Sequence, residues 1–170
     1  MPPSPSPEQL SYTTVASPIG ELLLVGDERA LRGLYMQQGR RPARVDRRWR
    51  PDESPFSETV GELREYFDGR RRQFETPLAM HGSEFERRVW EALREIPYGE
   101  TVSYGEIAAR IGRPGAARAV GVANARNPIA VIVPCHRVIG ADGSLTGYGG
   151  GLERKRLLLD LEAGVTTLPV

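Results

Sequence analysis

The stretch that decides the fold of the second half of this chain is residues 103–126, "SYGEIAARIGRPGAARAVGVANAR". Ser103 followed by Glu106 is the pattern of a capping box, so a helix is predicted to begin there and to end at Gly112. A short "RPG" turn then leads into a second helical segment, "AARAVGVANAR". Helix, short glycine-containing turn and helix are the outline of a helix-turn-helix unit. An ordinary helical hairpin has the same pattern and is not distinguished from it here.

The second helix of this unit is unusual in its side chains, which are mostly alanine, glycine and valine, with Arg118 as the long side chain near its start. A helix that reads DNA sequence presents asparagine, glutamine, arginine or lysine to the base edges. Small residues instead allow the helix backbone to approach a groove closely without reading sequence. Gly121 costs roughly 1 kcal/mol relative to alanine inside a helix. It fits either such an approach or tight packing against another helix.

Working outward, residues 83–99 contain a second capping box, Ser83 with Glu86, and an apolar stripe at helical spacing. Further upstream, Val60 and Phe67 belong to a helical segment that closes on Gly69, and residues 73–80 are expected to be extended. The charged stretch 40–53 is predicted to be a surface loop. Three strands are predicted before it: "YTTVA" (12–16), "GELLLVG" (20–26) and "ALRGLYMQ" (30–37). This first half carries no obvious chemistry and is interpreted as a supporting domain.

The bulk composition excludes several classes of protein. With 170 residues, 39% hydrophobic and 26% charged, the chain is typical of a soluble globular protein, and it contains no apolar run long enough to span a membrane. The N-terminus lacks the pattern of a signal peptide, and its alternating proline and serine predict a disordered lead-in. A single cysteine points to a reducing cytoplasm, and one cysteine with two histidines argues against a structural zinc site.

The distribution of charge is more informative than the net charge of +1. From Ile107 to Ala141 the chain has no aspartate or glutamate, and this stretch therefore predicts a local basic face that binds a polyanion. The arginines of this stretch are Arg110, Arg113, Arg118, Arg126 and Arg137.

The chemistry is expected in "IVPCHRVIG", residues 132–140, which contains the only cysteine, Cys135, beside His136. A neighbouring base makes a thiol nucleophilic, but consecutive residues of an extended segment point to opposite sides. A local bend or a bridging water is therefore required. In the C-terminal helix, Glu162 shares a face with Leu158 and Leu161, and a buried carboxylate needs a partner such as His136. A purely structural Cys–His pair is the alternative.

Five blocks of the chain resemble the O6-alkylguanine-DNA alkyltransferases, densely over residues 83–164 and in layout only before that. This resemblance implies a small N-terminal α/β domain with an antiparallel sheet, followed by a helical C-terminal domain with a winged-helix-like helix-turn-helix. The expected division is a disordered lead-in at 1–9, a supporting domain at 10–80 and a DNA-binding, alkyl-transfer domain at 81–170. The blocks are "PCHRV" (134–138), "NP" (127–128), "YGETVSYGEIA" (98–108), "GAARAVGVANARNP" (115–128) and "GYGGG" (147–151).

The resemblance also implies an activity, the direct repair of DNA. The protein is expected to take alkyl groups from O6 of guanine, and less readily from O4 of thymine, after flipping the base out of duplex DNA. The alkyl group passes irreversibly to a cysteine, so each molecule acts once. The implied partner is double-stranded DNA containing alkylated guanine, without sequence preference. No cofactor, metal, membrane or obligate protein partner is implied.

Residue roles follow from the same resemblance. Cys135 is expected to be the nucleophile and alkyl acceptor, His136 to take its proton through a bridging water, and Glu162 to orient His136. Tyr104 resembles the tyrosine that donates to the leaving guanine and crowds the adjacent phosphate. Asn127 resembles the hinge asparagine that ties the recognition helix to the active-site segment.

The implied DNA contacts lie on the second helix of the helix-turn-helix. Arg118 is expected to fill the gap left by the flipped nucleotide, and Ala116 and Ala117 line the groove beside it. Gly121 is the position of close approach. The implied walls of the guanine pocket are Val138, Tyr148 and the backbone at Gly149.

Two departures from the family pattern are visible. The zinc ligands of some relatives are absent, and Gly149 stands where some relatives have serine, which leaves only its backbone amide. The arginine-rich stretch at 40–50 matches no motif. Three other functions share parts of the pattern: a non-catalytic lesion-binding protein, a helix-turn-helix transcription factor, and a cysteine hydrolase. The presence of Cys135 argues against the first, and the scarcity of base-reading side chains argues against the second. Turnover of a thioester or peptide substrate would identify the third, because the proposed reaction uses each molecule once.

Overall fold

The computed structural model describes residues 9–37, 42–148 and 150–165. The disordered lead-in predicted for 1–9 therefore lies outside the described residues, except for Gln9. Single 3-10 turns occupy Ser54–Phe56 and Cys135–Arg137. The strands and helices of the described ranges are β1 (Ser11–Val15), β2 (Leu22–Gly26), β3 (Leu31–Met36), β4 (Arg50–Pro51), α1 (Ser57–Phe67), α2 (Glu84–Arg94), β5 (Val102–Ser103), α3 (Tyr104–Arg110), α4 (Ala117–Ala125), β6 (Val138–Ile139) and α5 (Leu152–Ala163).

The first half of the chain builds a mostly antiparallel sheet with the strand order β3-β2-β1-β4. Strands β1 to β3 pair antiparallel, as predicted, and all five residues of the central strand β2 are buried. Strand β4 pairs parallel with β1, with Ser11 opposite Arg50. The prediction of a loop throughout 40–53 was therefore wrong at its end. A two-residue strand is too short to show the alternation by which strands are recognised.

The capping boxes set the starts of α2 and α3 as the sequence predicts. The Ser83 side chain accepts from the Glu86 amide at 3.0 Å, and the Glu86 carboxylate accepts from the Ser83 amide at 2.9 Å. Ser103 and Glu106 form the same reciprocal pair before α3. After α3 the chain turns at Gly112, whose φ of 77° is readily adopted only by glycine.

In the helical half, α2, α3 and α4 form a three-helix unit with a small sheet beside it. Helix α2 packs against both α3 and α4, and the Trp90 indole donates to the Ala123 carbonyl at 2.9 Å. Strands β5 and β6 pair parallel, with Val102 opposite Val138. A third helix braces the α3–turn–α4 pair, which is therefore more than an isolated helical hairpin. The expected fold class, an α/β half followed by a helical half with a helix-turn-helix, is confirmed.

The two halves share one hydrophobic core. Buried residues of β2, β3 and α1 belong to the same cluster as those of α2, α3 and α4. Backbone hydrogen bonds also join them. The Leu34 amide of β3 donates to the Pro128 carbonyl at 2.9 Å, and the Ala130 amide donates to the Leu34 carbonyl at 3.1 Å. Strand β3 is thereby attached to the segment that leads to Cys135.

Two findings concern the described ranges as a whole. None of their helices combines the length and apolar character needed to cross a membrane. Within the same ranges, no group of three or more histidine, cysteine, aspartate or glutamate side chains is arranged to hold a metal ion.

Candidate functional site

Tight turns, not an extended strand, bring Cys135 into the interior. The Ile132 amide donates to the Ala130 carbonyl at 2.8 Å around Val131, whose φ is 71°. The Cys135 amide donates to the Val133 carbonyl at 2.8 Å around Pro134, and a 3-10 turn then covers residues 135–137. The premise of an extended segment at Cys135 was therefore wrong, because the chain bends at this point.

Val131 is the strained member of this segment. A β-branched residue at positive φ costs on the order of 1–3 kcal/mol, and such a conformation persists only where the surroundings hold it. Val131 is 1% exposed and lies in the shared core. Burial of its side chain therefore holds the backbone path that leads to the cysteine.

Asn127 ties the end of α4 to the same segment. Its Nδ2 donates to the Val133 carbonyl at 2.7 Å, and its Oδ1 accepts from the Ile129 amide at 2.9 Å. These two bonds replace backbone pairing over the turns, where no regular structure supplies partners. The helix-turn-helix and the cysteine segment are thus rigidly connected at this residue.

Cys135 lies at a cavity of about 440 Å³ between the two halves of the chain. Gly150 stands at its edge, where an added Cβ would overlap Met36 Sδ, so a larger residue here would displace the Met36 side chain from the cavity wall. The cavity combines apolar walls with a few polar groups, as small-molecule sites usually do. Its lining residues are Leu34, Tyr35, Met36, Asn124, Ala125, Asn127, Ala130, Cys135, Gly147, Tyr148 and Gly150.

Two buried polar atoms at this cavity have no hydrogen-bond partner among the described residues. They are Asn124 Oδ1 and the Tyr148 hydroxyl. Asn124 is held by its other end, because its Nδ2 donates to the Cys135 carbonyl at 3.3 Å. Buried polar groups in native proteins are normally paired, so these atoms are available to a ligand or to water.

A buried charge cluster lies behind the cysteine, as the sequence predicts for His136 and Glu162. His136 Nε2 and Glu162 Oε2 are 2.7 Å apart. Arg137 donates to both oxygens of Glu162, from Nε at 2.7 Å and from Nη2 at 3.0 Å, and from Nη1 to the Ile96 carbonyl at 2.7 Å. All three residues are buried, with 7% exposure or less. The sequence predicted Arg137 to belong to the basic surface. This prediction was wrong, because Arg137 is buried and forms an ion pair with Glu162.

The protonation states in this cluster follow from burial and charge. Burial raises the pKa of Glu162, but the hydrogen bonds and charges of His136 and Arg137 outweigh it and hold the pKa far below the usual carboxyl range. Burial lowers the pKa of His136, and Glu162 offsets this only in part. Because the ionised carboxylate can only accept, His136 Nε2 carries the proton and Nδ1 carries the lone pair.

Cys135 itself is buried and protonated at rest. Burial raises the pKa of its thiol, and the charge of Lys155 lowers it only in part. No hydrogen bond joins the thiol to His136, whose Nδ1 is buried without a partner in the described part of the chain. The adjacency in sequence therefore does not by itself produce a Cys–His contact.

Lys155, the only lysine of the chain, is fully buried near the thiol. Its Nζ donates to the Val138 carbonyl at 2.6 Å and to the Thr146 carbonyl at 2.9 Å. These bonds join α5 to β6 and to the segment that carries Tyr148. Val138, expected as a pocket wall, is fully buried and is not among the described residues that line the cavity.

The expected DNA-contacting residues lie at the start of α4 and beside it. Arg118 is exposed on the first turn, and Ala116 and Ala117 are partly exposed. Tyr104 begins α3. Its hydroxyl accepts from the hydroxyl of Thr146, two residues before Tyr148, at 3.1 Å. Gly121 faces the ring of Tyr104, where an added Cβ would lie 3.7 Å from Cδ1. Gly149, the last expected site residue, lies outside the described residues.

Several site residues were missed by reasoning from the sequence. Tyr66 of α1 donates its hydroxyl to Glu162 Oε2 at 2.6 Å, and Met36 of β3 lines the cavity, so the first half of the chain is not merely supporting. Lys155 left a readable signal, because it lies on the same helical face as Leu158 and Glu162. Tyr66 had no such signal, since its partner is 96 residues away.

Comparison with known proteins agrees with this architecture. Residues 84–164 match the DNA-binding domain of the 6-O-methylguanine DNA methyltransferases, and residues 10–80 match their ribonuclease-like domain. The methylated-DNA--protein-cysteine methyltransferase of Mycobacterium tuberculosis (strain ATCC 25618 / H37Rv) is 56% identical over 154 residues, which cover 90% of this chain and 92% of that protein. The protein of the same name from Methanosarcina acetivorans is 53% identical over 151 residues, 89% and 97% of the two chains.

A solved structure agrees equally well. The crystal structure of Mycobacterium tuberculosis OGT in complex with DNA matches with a TM-score of 0.85 at 55% identity, covering 91% of this chain and 94% of that one. Fold and site together define a two-part protein, an α/β half joined to a helix-turn-helix half with a buried cysteine between them. This chain belongs to the 6-O-methylguanine DNA methyltransferase family.

Proposed function

We propose that this protein repairs DNA by direct reversal, accepting the alkyl group of O6-alkylguanine on Cys135 Sγ. One observation carries the proposal. The relatives are named for transfer to a protein cysteine, and Cys135 is the only cysteine in this chain. Its position at a cavity with unpaired polar groups, next to a buried His–Glu pair, supports the same assignment. The N-terminal domain at 10–80 and the C-terminal domain at 81–170 act together in this reaction.

The proposed reaction is a displacement at the alkyl carbon. The Cys135 thiolate attacks, an S–C bond forms, and the bond between the alkyl carbon and O6 breaks. The thiol proton passes to His136 Nδ1 through one water, because that nitrogen has the free lone pair. Glu162 keeps the Nε2–H tautomer in place and stabilises the imidazolium that forms. The thioether product is a poor leaving group, so each molecule reacts once.

The departing guanine is an anion that needs hydrogen-bond donors. We assign this role to the Tyr104 hydroxyl and the Gly149 amide. Tyr148, which lines the cavity, belongs to the base pocket, whereas Val138 is not among the described residues that line it. Asn127 acts as the hinge between α4 and the cysteine segment, consistent with its bonds to Val133 and Ile129.

DNA recognition is assigned to α4. Arg118 occupies the space of the flipped-out nucleotide, and the small side chains Ala116 and Ala117 line the groove beside it. Gly121 lets the helix backbone come close. Contacts of this kind act through shape and backbone, so binding has no sequence preference. The protein works in the cytoplasm, where a single unpaired cysteine stays reduced.

The proposal is tested by measuring the intact mass of the full-length protein after mixing with a duplex containing O6-methylguanine. The mass is expected to rise by one CH2 unit, in proportion to the lesion, until the protein is exhausted. Peptide mapping should place the increase on Cys135. Cys135→Ser is the matched control and should bind the duplex without any mass increase. An unchanged mass with tight binding to the lesion would identify a lesion-binding protein instead.

A further inference from the structure

Glu162 accepts hydrogen bonds from every side of the charge cluster. Oε2 accepts from the Tyr66 hydroxyl at 2.6 Å and from Arg137 Nη2 at 3.0 Å, and it lies 2.7 Å from His136 Nε2. Oε1 accepts from Arg137 Nε at 2.7 Å and from the Gly99 amide at 3.4 Å. A carboxylate has about four acceptor sites, so Glu162 is saturated. Tyr66 and His136 share one oxygen.

Tyr66 differs from the other donors because it comes from the first half of the chain. It lies on α1 and is fully buried. Its ring packs against Phe67, Phe74 and Tyr98, with centroids 5.2, 5.4 and 6.2 Å away. These contacts fix the direction in which the hydroxyl points. A donor held so rigidly contributes its hydrogen bond with little further loss of side-chain entropy.

We propose that Tyr66 is a positioning residue of alkyl transfer, whose hydroxyl sets the charge density of Glu162 and through it the proton affinity of His136. The inference rests on the proposed function for its catalytic consequence, but not for the effect on the histidine. Tyr66 touches neither base nor thiol in this role. It acts through Glu162 alone.

The direction of the effect follows from competition for one oxygen. When Tyr66 donates, negative charge on Oε2 is partly neutralised, and the carboxylate stabilises an imidazolium less strongly. Burial and the charge of Glu162 raise the pKa of Tyr66 well above its ordinary value, so the hydroxyl remains a donor throughout the working pH range. Without this donor, Glu162 attracts the His136 proton more strongly, and His136 becomes protonated at higher pH.

Other titratable groups surround His136 and Glu162, and none of them is changed in the Tyr66→Phe variant. They are Cys135 and Arg137 on the 3-10 turn, Lys155 on α5, Tyr98 after α2, and Tyr148 on the segment before α5.

The direct test is an NMR titration of the histidine rings in the unalkylated full-length protein. The chain has two histidines, and His81, which lies beside Arg32, serves as the internal reference. In Tyr66→Phe the titration midpoint of His136 is expected to move to higher pH. Tyr98→Phe is the matched control, because it removes a hydroxyl from the same aromatic cluster that is not among the described donors to Glu162. It should leave the midpoint of His136 unchanged.

The kinetic test is the pH profile of alkyl transfer. Transfer needs neutral His136, so the rate falls as the imidazole becomes protonated. Below both midpoints, Tyr66→Phe is expected to be slower than wild type by up to about tenfold, the order of one hydrogen bond to a charged group. At high pH the two rates should converge. A uniform loss at every pH would mean a packing role only and would overturn the proposal.

If Tyr66→Phe does not fold, a second variant tests the same proposal. Replacing Tyr66 by 3-fluorotyrosine keeps the shape and makes the hydroxyl a stronger donor, so the midpoint of His136 should move to lower pH. Identical behaviour of His136 in all these proteins, including no titration in any of them, would overturn the proposal. If none transfers an alkyl group, the proposed function fails, and the NMR titration still decides the role of Tyr66.

Discussion

Glu162 balances two partners that compete for its charge, His136 and Arg137. The guanidinium compensates the carboxylate, so the neighbouring imidazole stays neutral and can accept a proton. Removing one member of a buried, hydrogen-bonded ion pair leaves the other charged and unpaired, which usually costs about 3–5 kcal/mol. The cluster therefore matters for stability as well as for the proposed chemistry.

Glu162→Gln is expected to lower the free energy of unfolding at pH 7 by about 3 kcal/mol and to slow alkyl transfer, because His136 loses its orienting acceptor. Urea denaturation and the rate of methyl transfer measure the two effects. Glu153→Gln, an exposed change on the same helix, should stay within about 0.5 kcal/mol of wild type. A transfer rate equal to wild type would remove Glu162 from the site.

The same variant has a defined pH dependence. The pKa of Glu162 is lowered in the folded state, so its contribution is present above the ordinary carboxyl pKa of about 4.3 and is lost as pH falls below it. The stability difference between wild type and Glu162→Gln should therefore shrink between about pH 5 and pH 3. A difference that stays constant over this range would contradict the assigned ion pair.

At the scale of elements, the two ends of α4 have different surroundings. Its exposed first turn carries Arg118, and Asn127, two residues after its end, is hydrogen-bonded to the cysteine segment. In the proposed function, DNA docks at the first turn of α4, and the hydrogen bonds of Asn127 hold that turn in a fixed position relative to the cysteine segment. In the proposed function, the position of Arg118 relative to Cys135 matters for a base that must be flipped out of duplex DNA, and not for a free base.

Arg118→Ala is expected to slow repair of duplex DNA by about tenfold or more, because stabilising a flipped base is worth a few kcal/mol. Reaction with free O6-benzylguanine, which needs no flipping, should change by less than about twofold. Arg64→Ala on α1 removes another exposed arginine, outside the helix-turn-helix, and should affect neither substrate. Equal losses on both substrates would contradict the assignment of Arg118.

At the scale of the whole molecule, the two halves pack together around one core. One core cluster contains buried residues of both, and β3 is hydrogen-bonded to residues 128–130. The cavity and the Glu162 cluster each take residues from both halves. Loosening the interface is therefore expected to disturb the site directly.

The full-length protein should consequently unfold in one cooperative transition, with equal calorimetric and van't Hoff enthalpies. Leu34→Ala at the interface is expected to lower the free energy of the whole transition by about 2–5 kcal/mol without splitting it. Val45→Ala, at a side chain 40% exposed, is the control and should have little effect. Two resolved transitions in the calorimeter would show that the halves are independently stable.

The sequence by itself determined the local features of this protein. The capping boxes at Ser83 and Ser103 are contained within four residues each, so the starts of α2 and α3 could be read directly. The pairing of His136 with Glu162 could also be anticipated, because a carboxylate on an apolar helical face needs a partner and the chain has few candidates. The first prediction depends only on short-range geometry, and the second depends on the small number of possible partners for a buried carboxylate.

Only the tertiary structure decided which distant groups complete the site. The hydroxyl of Tyr66, the Met36 wall and the burial of Arg137 depend on how two halves of the chain pack, and their partners are far apart in sequence. The path around Val131 likewise contradicts its local preference and is held by the core. Long-range packing selects these arrangements because burial of a shared core outweighs local backbone preference, and no short pattern of residues records that outcome.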